Sequence, residues 1–187
     1  EDGHVYSKEM EHDACGVGLI ASTEGKKSRK VVEYGINALK AVWHRGAVDA
    51  DGKTGDGAGI HLEIPSDFFA EKIELTGHNH DGSEICVGMI FLPRNNYQAQ
   101  ENARTLVESE LTKSNFSIYG WRQVPVNPKV LGEKANLTRP EITQVLFKHN
   151  NKDLTEKELE RKIYESRRKI EKEAIKNAIE GFYICSL

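Results

Sequence analysis

Apolar residues along this chain recur at two different spacings, and the switches between them mark out its elements. From about Arg29, the residues Val32, Ile36, Leu39 and Trp43 follow one another at intervals of four, three and four, which puts them on one face of a helix. The helical spacing returns over residues 95–113 through Ala99, Ala103, Leu106, Val107 and Leu111. It returns again after Thr155, where Glu158 completes a capping-box pattern at the start of a long charged helix with Leu159, Ile163, Ile170 and Ala174 inward. Ser66 is expected to cap a short helix carrying Phe68 and Phe69. Short apolar runs predict strands at Gly16–Ala21, Gly59–Ile64, Ile85–Leu92, Ile118–Arg122, Ile142–Phe147 and Gly181–Leu187. Between them, the polar stretch from His78 to Gly82 reads as a hairpin tip, and Pro125, Pro128 and Gly132 mark a loop. The periodicity thus establishes a mixture of helices and strands. The last strand lacks its expected neighbours, so a truncated fold is expected.

Composition narrows the picture. The 187 residues suit one domain, and 38% hydrophobic residues suffice for a core. The 26 basic and 29 acidic residues are well mixed and leave a net charge of −3, which gives no footprint for nucleic acid or an anionic membrane. No run of 18 apolar residues occurs, and the polar start Glu1-Asp2-Gly3-His4 is not a secretory signal, so a reducing compartment is expected, the cytoplasm or a plastid. Three widely spaced cysteines, Cys15, Cys86 and Cys185, fit neither a disulfide framework nor a Cys-x-x-Cys metal site. Cys86 and Cys185 fall in apolar strands and are expected to be core thiols. Residues 1–14 are polar, unpatterned and leader-like.

Cys15 is different, because it opens a strand and is followed by Gly16-Val17-Gly18. A thiol needs a base or a positive neighbour to become a good nucleophile, and the adjacent sequence supplies no suitably placed His or Lys. Cutting the Ala14–Cys15 bond would expose an α-amino group with a pKa near ~8, able to take the thiol proton directly or through one water. Other motifs fall away on inspection. Gly52-Lys53-Thr54 would end a phosphate loop only if a glycine stood at position 47, which is Ala47. Asp49-x-Asp51 would start a calcium loop, but Lys53, Thr54 and Ile60 occupy the third ligand, glycine and closing glutamate positions. The glycines recurring from Gly46 to Gly59 instead allow backbone to approach backbone or ligand closely.

Cys15-Gly16-Val17-Gly18 and the long stretch Ala38-Leu39-Lys40-Ala41-Val42-Trp43-His44-Arg45-Gly46-Ala47-Val48-Asp49-Ala50-Asp51-Gly52-Lys53-Thr54-Gly55-Asp56-Gly57-Ala58-Gly59-Ile60 together resemble the class II glutamine amidotransferase domain of glutamate synthase large subunits. Further matches are Tyr119-Gly120-Trp121-Arg122-Gln123-Val124-Pro125, Gly132-Glu133-Lys134-Ala135-Asn136 and Phe182–Leu187. The resemblance implies an α+β fold of the N-terminal-nucleophile (Ntn) hydrolase type, an αββα sandwich of two antiparallel sheets, with residues 1–14 as leader and 15–187 as the first part of the domain. It implies that Cys15 is the nucleophile and its freed α-amino group the base. Arg45 would lie near the nucleophile, Gly46 would offer a carbonyl to the amine, and Gly16 would leave room for L-glutamine. Beyond this chain it implies FMN and an iron–sulfur cluster, the rest of the large subunit, and either a small NAD(P)H-oxidising subunit or ferredoxin as partner. The family's oxyanion hole uses an Asn-Gly pair, and this sequence has no such dipeptide. With residues 1–14 attached as well, the isolated chain is expected to be an inactive fragment; the alternative is a noncatalytic interaction domain that retains the fold.

Overall fold

The computed structural model describes residues 16–43 and 47–187, which fall into two units: Glu1–Leu62 with Pro128–Leu137, and Glu63–Asn127 with Thr138–Leu187. In the first unit the helical spacing after Arg29 becomes α1 (Arg29–Ala41), with the Ser28 hydroxyl accepting the Val31 N–H at 3.4 Å as N-cap. Val32, Ile36 and Leu39 form its half-buried stripe, whereas Trp43 lies beyond the helix end and is 74% exposed. Two expected strands are absent. Residues 16–21 and 59–64 carry no ladder, and Val17 and Leu19 are exposed. An apolar run becomes a strand only where another backbone pairs with it, and among the described residues none pairs with these. The same unit holds a 3₁₀ turn at Pro128–Val130; α4 (Glu133–Thr138), which no periodic pattern announces, starts there and runs one residue past it.

The second unit contains α2 (Ser66–Glu74), β1 (Cys86–Leu92), α3 (Tyr97–Lys113), β2 (Phe116–Gln123), β3 (Glu141–His149), α5 (Glu156–Lys176) and β4 (Tyr183–Ser186). Its strands form one antiparallel sheet in the order β2-β3-β1-β4. Alternation along the strands separates two cores. Ile90 and Leu92 of β1, Val145 and Phe147 of β3, Phe116 of β2 and Ile184 of β4 face Ala103, Val107 and Leu111 of α3 and Leu159, Ile163 and Ile170 of α5. On the opposite face Leu146 and Val87 pack with Phe69 and Ile73 of α2. An extra residue in β2 between Ile118 and Gly120 turns Tyr119 to this second face, and Gly120 takes φ +145° there.

Of the two expected caps, Thr155 holds and Ser66 does not. Asn96 caps α3 by accepting the Ala99 N–H at 3.0 Å. In α5 the box closes both ways, Thr155 Oγ1 accepting the Glu158 N–H at 3.3 Å and Glu158 Oε2 accepting the Thr155 N–H at 2.9 Å. At α2 the cap position is Pro65, and Ser66 is the first helical residue. The His78–Gly82 stretch joins α2 to β1 and is not a hairpin tip, since β1 pairs with β3 and β4. There Asp81 takes salt bridges from Lys148 at 2.8 Å and Lys152 at 3.0 Å. Cys86 is buried as expected, but Cys185 is exposed: Ile184 takes the core-facing place in β4, so its neighbours in sequence point to the other face.

Candidate functional site

The chemistry suggested by Cys15 has to be located through its neighbours, because Cys15, Arg45 and Gly46 lie outside the described residues. Gly16 is described and exposed. A methyl group built on it would meet Val42 Cβ and Cγ2 at 3.6 Å, an ordinary contact, so the residue after Cys15 lies against the C-cap of α1. Val42 stands two places before His44 in the chain. Gly16 and the end of α1 are thereby neighbours within one unit.

The glycine-rich run forms a closed loop. At its base the Ala47 N–H donates to Asp56 Oδ2 at 2.9 Å, and the Asp56 N–H returns to the Ala47 carbonyl at 3.2 Å. Val48 and Gly55 then form a bridge, and the Asp49 N–H donates to the Thr54 carbonyl at 2.7 Å. A side chain at Gly55 would sit 2.8 Å from the Ala47 carbonyl, and Gly52 turns the tip with φ +67°. Inside the tip, Asp51 Oδ1 accepts the N–H groups of Lys53 at 2.9 Å and Thr54 at 2.6 Å. Its Oδ2 accepts the Thr54 hydroxyl at 2.6 Å and the Glu133 N–H at 3.1 Å. These donors, the Thr54 hydroxyl foremost, lower the Asp51 pKa to about 2.

Segment 128–137 is held against this loop at two points. Lys134 Nζ lies 2.7 Å from Asp49 Oδ2, beside the Asp51 bond to Glu133. Gly132 is buried between them, and a Cβ there would fall 2.1 Å from Thr54 Oγ1 and 2.3 Å from Asp51 Oδ2. Sequence reasoning did not foresee this brace. Its local signal is an aspartate followed by glycine with a threonine three places on, a side-chain-to-backbone turn, but the partner at Glu133 is remote in sequence.

The occupied donors also decide the motif look-alikes. A phosphate loop needs free backbone N–H groups, and those of Lys53 and Thr54 are already taken by Asp51. Both Asp51 oxygens face donors, which is the wrong polarity for a cation. Among the described residues no three His, Cys, Asp or Glu side chains converge as metal ligands. A shallow cavity of about 280 Å³ along α5, between Leu154 and Glu165, is a charged helix surface and offers no nucleophile.

The family model for glutamine amidotransferases class-II matches residues 15–187. The chain belongs to that family. The match begins at Cys15, so the candidate nucleophile is the first residue of the amidotransferase region. This amidotransferase chain is 54% identical over 184 residues to the glutamate synthase [NADPH] large chain of Azospirillum brasilense, covering 98% of the chain and 12% of that protein. It is 38% identical over 187 residues to the ferredoxin-dependent glutamate synthase of Pyropia yezoensis, again 98% of the chain and 12% of the relative. Against the chloroplastic ferredoxin-dependent glutamate synthase of Spinacia oleracea the figure is 36% over 179 residues, 95% of the chain and 11% of the relative. The chain therefore spans about one-eighth of the length of these relatives. No helix among the described residues is long and apolar enough to cross a membrane.

Proposed function

We propose that this amidotransferase region is the glutamine-hydrolysing start of a glutamate synthase large subunit and that Cys15 performs the reaction after residues 1–14 are removed. The observation that carries the reading is the family match beginning at Cys15, together with 54% identity to a glutamate synthase over nearly the whole chain. In this reaction the α-amino group of Cys15 takes the thiol proton, and Sγ attacks the side-chain amide carbon of L-glutamine, whose carbonyl becomes an oxyanion. The C–N bond then breaks as the amide nitrogen takes up the proton and leaves as ammonia. Water adds to the resulting thioester, releasing glutamate and returning the thiol.

Arg45 supplies paired donors for a carboxylate or carbonyl near the nucleophile, and Gly46 offers its carbonyl to the amine. Gly16 keeps the approach to Cys15 open. The two-sheet sandwich belongs to this reading too, and the apolar side of the sheet carrying Met89, Phe91 and the exposed Tyr183 supports it, because such a surface suits a second layer. The released ammonia feeds glutamate synthesis from 2-oxoglutarate in the remainder of the enzyme. An iron–sulfur cluster needs converging thiolates, and the buried Cys86 and exposed Cys185 do not supply them. The cluster is accordingly assigned to the remainder, and the resemblance to glutamate synthases assigns FMN and the contact with ferredoxin or an NAD(P)H-oxidising subunit there as well.

The test uses the full-length protein made in its own host. N-terminal sequencing should find Cys15 first. Cys15→Ser should lose most glutamine-dependent glutamate formation while ammonia-dependent formation persists. Undiminished glutamine turnover in the variant, or a mature protein that retains residues 1–14, would overturn the reading.

A further inference from the structure

We propose that Asp51 and Asp56 are positioning residues for glutamine hydrolysis, two carboxylates that brace the glycine-rich loop at its tip and its base without touching the reacting atoms. The inference rests on the roles given above to Arg45 and Gly46, which immediately precede the base of this loop in the chain. A glycine-rich segment has large backbone entropy, and holding it in one shape requires fixed partners. Asp56 provides one at the base. Its carboxylate and its N–H both bind Ala47, the residue that follows Gly46 in the chain, so the clasp fixes the backbone of Ala47 on both its N–H and its carbonyl.

Asp51 provides the second partner. Its four acceptor contacts fill both oxygens, three within the tip and one on Glu133. The tip is thus tied to a remote segment, and the buried Gly132, where any Cβ would collide with Thr54 and Asp51, lets that segment come close enough for the bond to form. Lys134 on Asp49 adds a parallel tie, but at an exposed site where an ion pair contributes little. The carboxylates therefore differ in what they demand. Asp56 uses its side chain as a single acceptor, a task an amide oxygen can do. Asp51 needs acceptors on both sides, and an amide NH₂ would face either Glu133 N–H or the Lys53 and Thr54 N–H groups, donor against donor.

That difference gives the test. In the full-length enzyme, Asp56→Ala and Asp51→Asn should each lower kcat/KM for glutamine by about 10- to 100-fold, the scale of a misplaced reacting group. Asp56→Asn should stay within about twofold of the parent, and ammonia-dependent glutamate formation should be unchanged in all three. Hydrogen exchange should quicken at Ala47 in Asp56→Ala and at Glu133 in Asp51→Asn. Wild-type glutamine kinetics in Asp56→Ala and Asp51→Asn despite faster exchange would overturn the inference while leaving the functional reading intact. Equal loss with glutamine and ammonia would also overturn it, by showing general damage to the fold. If instead Cys15→Ala retained glutamine turnover, the functional reading itself would fall, and this inference with it.

Discussion

Gly88 occupies the middle of β1 opposite Val145 of β3, and the space its missing side chain leaves is already filled. A Cβ at Gly88 would lie 2.7 Å from Val145 Cγ1 and 2.7 Å from Leu187 Cδ1. Contact between carbons is comfortable only near 3.5 Å, so Gly88→Ala requires each neighbour to retreat by about 0.8 Å. Leu187 is half-buried and can swing, but Val145 is fully buried and β-branched, with little freedom at χ1. Overpacking of this kind costs about 1–3 kcal/mol, and the reduced backbone entropy of alanine returns about 0.5–1 kcal/mol. A net loss of about 1–2 kcal/mol is expected. Native-state hydrogen exchange of the β1 amides reads it as roughly 5- to 30-fold faster opening. Because the strain is shared with Leu187, the Leu187→Ala change in the same chain should recover part of the loss and show a coupling of about 0.5–1 kcal/mol. Unchanged exchange in Gly88→Ala, or strict additivity with Leu187→Ala, would refute the packing argument.

Two other predictions concern the same unit. Thr155→Ala removes the cap of α5 and should lower stability by about 1 kcal/mol near neutral pH, read as a shifted urea midpoint. Glu158 is held below the ordinary carboxylate range chiefly by the Thr155 hydroxyl, so its contribution is present above its unfolded pKa and is lost as pH falls through the folded one. The gap between parent and variant should accordingly narrow on acidification below about pH 4.3 and stay constant above it; a gap that widens in acid would contradict the capping assignment. Burial raises the Cys86 pKa to about 12, whereas Cys185 is exposed, so iodoacetamide should label Cys185 and spare Cys86 in the folded chain. Equal labelling by peptide mass spectrometry would show that β4 does not hold its place.

Elements whose stability is largely local were readable in advance. The α3 and α5 stripes repeat over several turns, and Thr155 and Glu158 carry capping chemistry in the residues themselves. The runs at 16–21 and 59–64 look as strand-like as Ile142–Phe147, yet only the last is paired. Pairing is a property of two distant segments, and a single run does not encode it. Cys185 shows the same limit at the scale of one residue: the apolar run is visible, but which alternate set faces the helices depends on the register with β1. The short α4 is tied to Asp51 from elsewhere in the chain, so local propensity gives no notice of it. At the site, the signature run pointed to the family, while the division of labour between Asp51 and Asp56 required the folded loop.

The strand order has a consequence for how the sheet is made. β3 lies between β2 and β1 in the sheet, so both of its neighbours precede it in the sequence and are available when it leaves the ribosome. β4 is different, since Met89 waits for Ser186 and Ile90 for Ile184, with the whole of α5 synthesised in between. At roughly 5–20 residues per second, one edge of β1 stays unpaired for several seconds. Its backbone N–H and C=O groups are offered during that time to any extended segment nearby. Translation itself thus sets a window in which the nascent chain depends on holding that edge apart from other chains, and the window closes only when β4 arrives.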